Sequence, residues 1–222
     1  GDKALAVARA QGEEIADQVR ELVDTDLQEI PTAPQAAFGF AGLPIDRPSL
    51  ETLRENLKSP RAQFRQHAEN MLATHERMGR LPETYPMPVH VWRFGDEFAM
   101  VFLGGEVCVD YALRIRREFG DHPVWVTAYA NDVFGYVASE RMRAEGGYEV
   151  DSSMIYYNQP GRWSSGTEEV ILRRIHELYD NRQLDRPLTV DEAIEANTEL
   201  QEYVEQLEIE AAEEDEEQAE RL

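Results

Sequence analysis

Apolar positions recur at Leu5, Ala8, Gly12, Ile15, Val19, Leu22 and Val23, the spacing of one helix face, so residues 2 to 23 are predicted as an amphipathic helix. Pro31, Pro34, Gly39, Gly42, Pro44 and Pro48 follow, and this density of breakers predicts an irregular stretch over 25 to 48 with at most one short extended piece. Ser49 is a candidate cap for a short helix through about Leu57. Pro60 opens a second helix through about Met78, with Phe64, His67, Ala68, Met71 and Leu72 on one face. His67 and His75 lie two turns apart on it and read as ordinary helix histidines rather than a metal pair.

The next segment changes period. Leu81 to Tyr85 reads as a loop, and Pro86 and Pro88 keep the chain extended. Val89–Phe94 and Phe98–Leu103 are strand-like runs around Gly95-Asp96, the signature of a hairpin. A helix is predicted over 106 to 119, carried by Val109, Leu113 and Phe119, and Val124–Tyr129 reads as a buried strand. Strand, helix and strand in that order predict an α/β class built on a mixed sheet with flanking helices. A long loop over 130 to 166 holds most of the polar aromatics, and a helix over 167 to 179 follows. Thr189 and Glu192 form a capping box for a final acidic helix that runs out of apolar residues after Ile209, and the last ten residues read as disordered.

Composition narrows the function classes. Forty-four acids against 22 bases give a formal net charge of −22 over 222 residues. Residues 191 to 222 hold fourteen acids and one base, Arg221, hence −13; the first 190 residues carry the remaining −9. Such a surface repels nucleic-acid phosphates and anionic headgroups, which argues against a nucleic-acid partner. Lys3 and Lys58 are the two lysines among the 22 bases, a bias that fits a salt-adapted host or a GC-rich genome equally. Cys108 is the single cysteine, so no intrachain disulfide framework exists. Residues 1 to 23 lack the apolar run of an export signal, and no stretch reaches membrane-spanning length.

Candidate chemistry gathers between Leu103 and Tyr157. Glu106 follows Gly104-Gly105, and at the start of a predicted helix its carboxylate would stay ionised and able to ligate a cation. An ordinary first-turn glutamate has the same sequence appearance. Tyr136 follows Gly135 in the loop after a buried strand, where active-site groups collect in α/β layers; a packed loop aromatic is the alternative. Tyr148 sits after Gly146-Gly147, whose small size permits close approach, and its phenol is able to donate to a developing oxyanion or to anchor the loop. Asn131 is a loop amide beside these residues, and Asp110 lies one helical turn past Glu106 as a supporting carboxylate. A paired-carboxylate glycosidase built on Glu106 and Asp110 finds no substrate-stacking tryptophan pattern; Trp92, Trp125 and Trp163 read as core or pocket wall.

Taken in order, Leu103-Gly104-Gly105-Glu106, Ala130-Asn131-Asp132-Val133-Phe134-Gly135-Tyr136-Val137, Glu145-Gly146-Gly147-Tyr148-Glu149 and Ser153-Met154-Ile155-Tyr156-Tyr157 resemble the later part of the neutral, non-lysosomal ceramidase family, nearest its bacterial ceramidase-like members. The likeness covers roughly residues 1 to 178. It implies Glu106 and Tyr136 as zinc ligands and Tyr148, twelve residues past Tyr136, as the residue assisting at the scissile carbonyl. It implies a zinc-dependent hydrolase of an N-acyl amide, ceramide or a similar lipid giving a fatty acid and a sphingoid base. The family's two histidine ligands and pocket serine lie upstream, and none of His67, His75, His90, His122 and His176 matches them. The resemblance therefore implies that residues 1 to 180 are the C-terminal part of a larger catalytic domain, partnered by an upstream half on the same or a separate chain, with 181 to 222 as an acidic helical tail. An export signal on that half would make the protein secreted or periplasmic; without one it would be cytoplasmic. Many members carry a proline before the glycine-glutamate and a threonine-rich helix start, where this chain has Gly104-Gly105-Glu106-Val107-Cys108, and the β-sandwich domain of longer members has no counterpart here. A rival expectation is a non-catalytic interaction subunit that docks a basic partner through its acidic tail.

Because residues beyond Ile209 carry charge and little apolar surface, truncation there is expected to move the melting temperature by no more than about 2 °C at moderate salt. A large drop in a thermal scan would show that the acidic end docks on the body.

Overall fold

The computed structural model describes residues 2 to 180; the capping box at Thr189, the final helix and the acidic tail lie outside the described residues. The chain divides into two compact units, Gly1–Thr32 and Ala33–Leu222. The first carries α1 (Asp2–Val23), the helix its apolar spacing predicts, with Leu5, Ile15, Val19 and Leu22 exposed.

The second unit is mixed α/β. Its elements are β1 (Gln35–Asp46), α2 (Leu50–Asn56), α3 (Ala62–Met78), β2 (Thr84–Phe94), β3 (Phe98–Leu103), β4 (Glu106–Val107), α4 (Val109–Phe119), β5 (Val124–Thr127), β6 (Tyr136–Val137), α5 (Glu140–Glu145), β7 (Arg162–Trp163) and α6 (Thr167–Asp180), with a π-helical turn at Tyr148–Ser152 and a 3-10 turn at Ser153–Ile155. Five strands form one sheet in the order β5-β3-β2-β1-β7, and β4 pairs with β6 in a second, two-stranded one. The predicted hairpin is β2–β3, antiparallel from Val89↔Leu103 to Phe94↔Phe98, and the predicted strand–helix–strand unit is β3–α4–β5, closed by parallel pairing.

Residues 34 to 48 depart most from the sequence reading. In place of an irregular stretch, β1 runs twelve residues, the first ten in register with β2 from Gln35↔Arg93 to Pro44↔Thr84. Alternation outweighs the breakers: Ala37, Gly39, Ala41, Leu43 and Ile45 point inward and their neighbours outward. Gly39 faces Arg174, and a Cβ there would lie 2.4 Å from the guanidinium, so a larger residue would displace that flexible side chain. Pro86 and Pro88 occupy the part of β2 that precedes its pairing with β3, an edge position where a missing N–H costs little.

The inward face packs Leu43, Met87, Val89, Val91, Val101 and Leu103 against Tyr111 and Ile115 of α4 and Ile171, Leu172, Ile175 and Leu178 of α6. The opposite face is aromatic. Phe38 stands over its cross-strand partner His90 at 4.5 Å, and Trp92 lies 5.0 Å from Phe102. Trp163 joins the core as expected, whereas Trp92 and Trp125 are 38% and 59% exposed. A smaller cluster of Leu53, Ala68, Met71 and Leu81 holds α2 to α3, and Ser49 caps α2 by accepting from Thr52 N at 3.0 Å.

The expected loop over 130 to 166 carries β6, α5, two tight turns and β7, each too short to show a period; Ser139 starts α5 by accepting from Met142 N. His67 is buried and its Nε2 lies 2.7 Å from the Gln159 carbonyl oxygen, which makes it a structural histidine. Burial pushes its pKa below the ordinary 6.5, against a smaller opposing effect of that carbonyl. The folded state thus binds fewer protons than the unfolded one below pH 6.5, and stability is lost as pH falls through 6.5 toward the lowered value. His67→Gln is expected to flatten the fall in unfolding free energy between pH 7 and 5, measured by urea denaturation at each pH; an unchanged slope would assign the dependence elsewhere.

Candidate functional site

Strands β3 and β5 run parallel, and the segments leaving their carboxyl ends build the site. After Leu103 the chain turns at Gly105, whose φ of +76° is open to glycine at little cost. Its N–H donates to Asp132 O at 2.7 Å and its carbonyl accepts from Tyr129 N at 2.9 Å. Glu106 N then donates to Gly135 O at 2.8 Å and Cys108 N to Val137 O at 3.2 Å. The result is β4 laid parallel to β6 with Glu106 directly opposite Tyr136.

This corrects the expected helix over 106 to 119. The helix begins at Val109, with Cys108 as its cap, and Glu106 lies in a strand. The helix-dipole argument for its ionisation falls with that boundary. Val107 favours the strand, and the loop after β5 offers a carbonyl where the helix would have offered none.

Phenols take the dipole's place. Tyr129 donates its hydroxyl to Glu106 Oε2 at 2.6 Å and Tyr157 donates to Oε1, while Tyr136, opposite Glu106 across β4–β6, adds a smaller influence on the carboxylate. These donors hold Glu106 below the usual carboxylate range, Tyr129 contributing most. The reciprocal effect pushes the pKa of Tyr129 and of Tyr157 up to about 12 and raises that of Tyr136. The cluster at neutral pH is one carboxylate ringed by three protonated phenols.

Tyr148 enters from the glycine-rich turn, where Gly146 and Gly147 take φ of +75° and +111° and Gly147 N donates to Asp151 Oδ2 at 2.9 Å. Its half-exposed ring stands edge-on to Tyr136, centroids 5.8 Å apart, and 6.2 Å from Tyr156. Tyr136 is itself held by Trp163, whose indole N–H donates to the Tyr136 carbonyl at 2.7 Å. Glu106, Tyr136 and Tyr148 thus gather in one place.

The other two candidates face elsewhere. Asn131, with a left-handed backbone at φ +68°, meets His90 Nε2 on the aromatic face of the sheet through its amide. Asp110 accepts from Ser139 Oγ at 2.5 Å and pairs with Arg141 at 2.9 Å, tying the start of α4 to the start of α5. Burial and the nearby carboxylates Glu149, Asp110 and Glu106 raise the Cys108 pKa, which disfavours its reactive thiolate form. Tyr129 and Tyr157 are the residues that sequence reasoning passed over. The available signal for Tyr129 was its position just past the carboxyl end of β5; nothing local marks Tyr157.

Among the described residues no group of three His, Cys, Asp or Glu side chains is arranged to hold a metal, and no helix is long and apolar enough to cross a membrane. For a zinc ion the donor set fits in part: an anionic carboxylate and an adjacent phenol supply two oxygens, where a catalytic zinc takes three protein ligands. No family model matches the chain, and neither a curated protein nor a solved structure is detectably similar to it.

At Gly105 an added Cβ would meet Gly135 O, Phe134 and Val137, each at 3.0 Å, in a backbone conformation already unfavourable to L residues. Gly105→Ala is expected to lower the unfolding free energy by about 1–3 kcal/mol. Chemical denaturation checks this, and an unchanged midpoint would show that the turn relaxes freely.

Proposed function

We propose that this chain carries one side of the active site of a zinc-dependent amidohydrolase of neutral-ceramidase type, cleaving an N-acyl amide into a carboxylic acid and an amine. The observation that carries the reading is the β4–β6 register, which sets Glu106 beside Tyr136 with the Tyr148 ring 5.8 Å farther on. Those are the three residues that the resemblance implies, and they are separated widely in sequence. On this reading Glu106 and Tyr136 hold the metal together with imidazole donors from outside the described residues. The substrate is an N-acyl lipid.

The chemistry a bound zinc supplies is Lewis acidity toward the amide carbonyl and a lowered pKa for water. The chain's own residues do the rest. Glu106 brings negative charge that its phenol donors leave unneutralised. Tyr148 donates its hydroxyl hydrogen bond to the carbonyl oxygen as charge develops there, so its contribution grows toward the transition state. Water adds to the carbonyl carbon, the C–N bond breaks, and the leaving nitrogen takes a proton.

The test contrasts two hydroxyl deletions in the zinc-loaded assembly, assayed with a fluorescent N-acyl sphingosine. Tyr148→Phe is expected to lower turnover by about a hundredfold with zinc content retained. Tyr136→Phe is expected to lose zinc as well as turnover, and Glu106→Gln to lose both with the fold intact. Equal zinc content and the same modest rate loss in both tyrosine variants would make the tyrosines structural and sink the proposal.

A further inference from the structure

Tyr129 has a backbone conformation that a bulky residue adopts at a cost, φ +59°, and a ring that is 59% exposed. An exposed ring contributes little to packing, so the fold gains nothing obvious from holding it there. What the conformation achieves is a contact: the main chain is tied to Gly105 O at 2.9 Å and the phenol reaches Glu106 Oε2 at 2.6 Å.

Tyr157 does the same from another direction. It follows the 3-10 turn, with its N–H on Met154 O at 3.2 Å, and two residues on stands the buried Gln159. The Gln159 side chain donates to Phe134 O at 3.1 Å and its carbonyl lies 2.7 Å from His67 Nε2. This anchored segment delivers the Tyr157 hydroxyl to Glu106 Oε1.

We propose that Tyr129 and Tyr157 are positioning residues that grip the two oxygens of Glu106 from separate segments and fix the carboxylate in the orientation in which it meets a cation. The inference rests on the reading of Glu106 as a metal ligand. Each carboxylate oxygen has two acceptor directions, and one phenol on each leaves the other free. A ligand carboxylate held in this way is oriented before the cation arrives, the role of hydrogen-bonded groups behind metal ligands in general. Both donors are neutral, so they orient the carboxylate without cancelling its charge, as an arginine in either place would.

The experiment uses Tyr129→Phe, Tyr157→Phe and the double variant, with two readouts. In the assembled protein, competition with a chromophoric chelator gives the apparent zinc affinity; each single variant is expected to weaken it about 10- to 100-fold, with the melting temperature of the metal-free protein unchanged. High-resolution crystal structures of the metal-free wild type and double variant give the order of the Glu106 side chain: one orientation in the former, several in the latter. Zinc affinity unchanged in both single variants, or a Glu106 that keeps one orientation in the double variant, overturns the proposal. A wild-type assembly that binds no zinc removes the ligand reading of Glu106, and the order of Glu106 alone then decides whether the two tyrosines position it.

Discussion

The site depends on one stitch of main chain. Gly105 and Glu106 bond to Asp132, Tyr129 and Gly135, and Cys108 extends the ladder to Val137. These bonds belong to backbone atoms, so they hold whatever side chains the loop carries, and they convert a loop after β5 into a partner strand for the turn after β3. Glycine at 105 suits it, because the positive φ strains any L residue and an added Cβ would press on Gly135 O, Phe134 and Val137 at 3.0 Å. Remove the stitch and the carboxylate and its tyrosines have no common frame.

The electrostatics of Glu106 differ from those of the acids around it. Arg114 takes up Glu118, Glu168 and Glu169, Arg141 takes up Asp110 and Glu145, and Arg143 and Arg162 share Asp46. In a chain with so large an excess of acid, arginine forks are placed where carboxylates need neutralising. Glu106 has no ion pair among the described residues and is stabilised by neutral hydroxyls. Hydrogen bonds to the charged form keep a carboxylate ionised, and neutral donors do so without consuming its attraction for a cation. That distinction is what the proposed ligand role of Glu106 rests on.

The parts of this architecture that the chain announces are those with a period. The hairpin, the strand–helix–strand unit, α1, α3 and α6 follow from apolar spacing, and the Ser49 cap from a single side chain. Strand β1 is hidden because Gly39, Gly42 and Pro44 read as punctuation, while its pairing with β2 is a contact between segments far apart in sequence. The two-residue strands β4 and β6 are invisible because pairing, not propensity, makes them. The same holds for the site. Glu106, Tyr136 and Tyr148 are singled out in the sequence by the resemblance and lie together in the fold, but the phenols of Tyr129 and Tyr157 converge on Glu106 only through tertiary contacts, and the helix-dipole rationale for Glu106 fails with a boundary error of three residues.

Backbone strain is distributed to match. The non-glycine residues at positive φ among the described residues are Tyr129, Asn131 and Asn158. The first grips Glu106, the second lies two residues beyond it and meets His90, and the third follows Tyr157 immediately. Asparagine adopts this conformation at modest cost and tyrosine does not, so the largest penalty falls on the residue in direct contact with the carboxylate. Such conformations persist where the surrounding structure over-determines them, and here the β1–β2–β3 sheet and its two helices supply the rigid frame. The core is built from regular, relaxed elements, and the irregular backbone is concentrated at the carboxyl ends of β3 and β5 and around Tyr157. That division is what a fold needs when a few side chains must be held where local preferences would not put them.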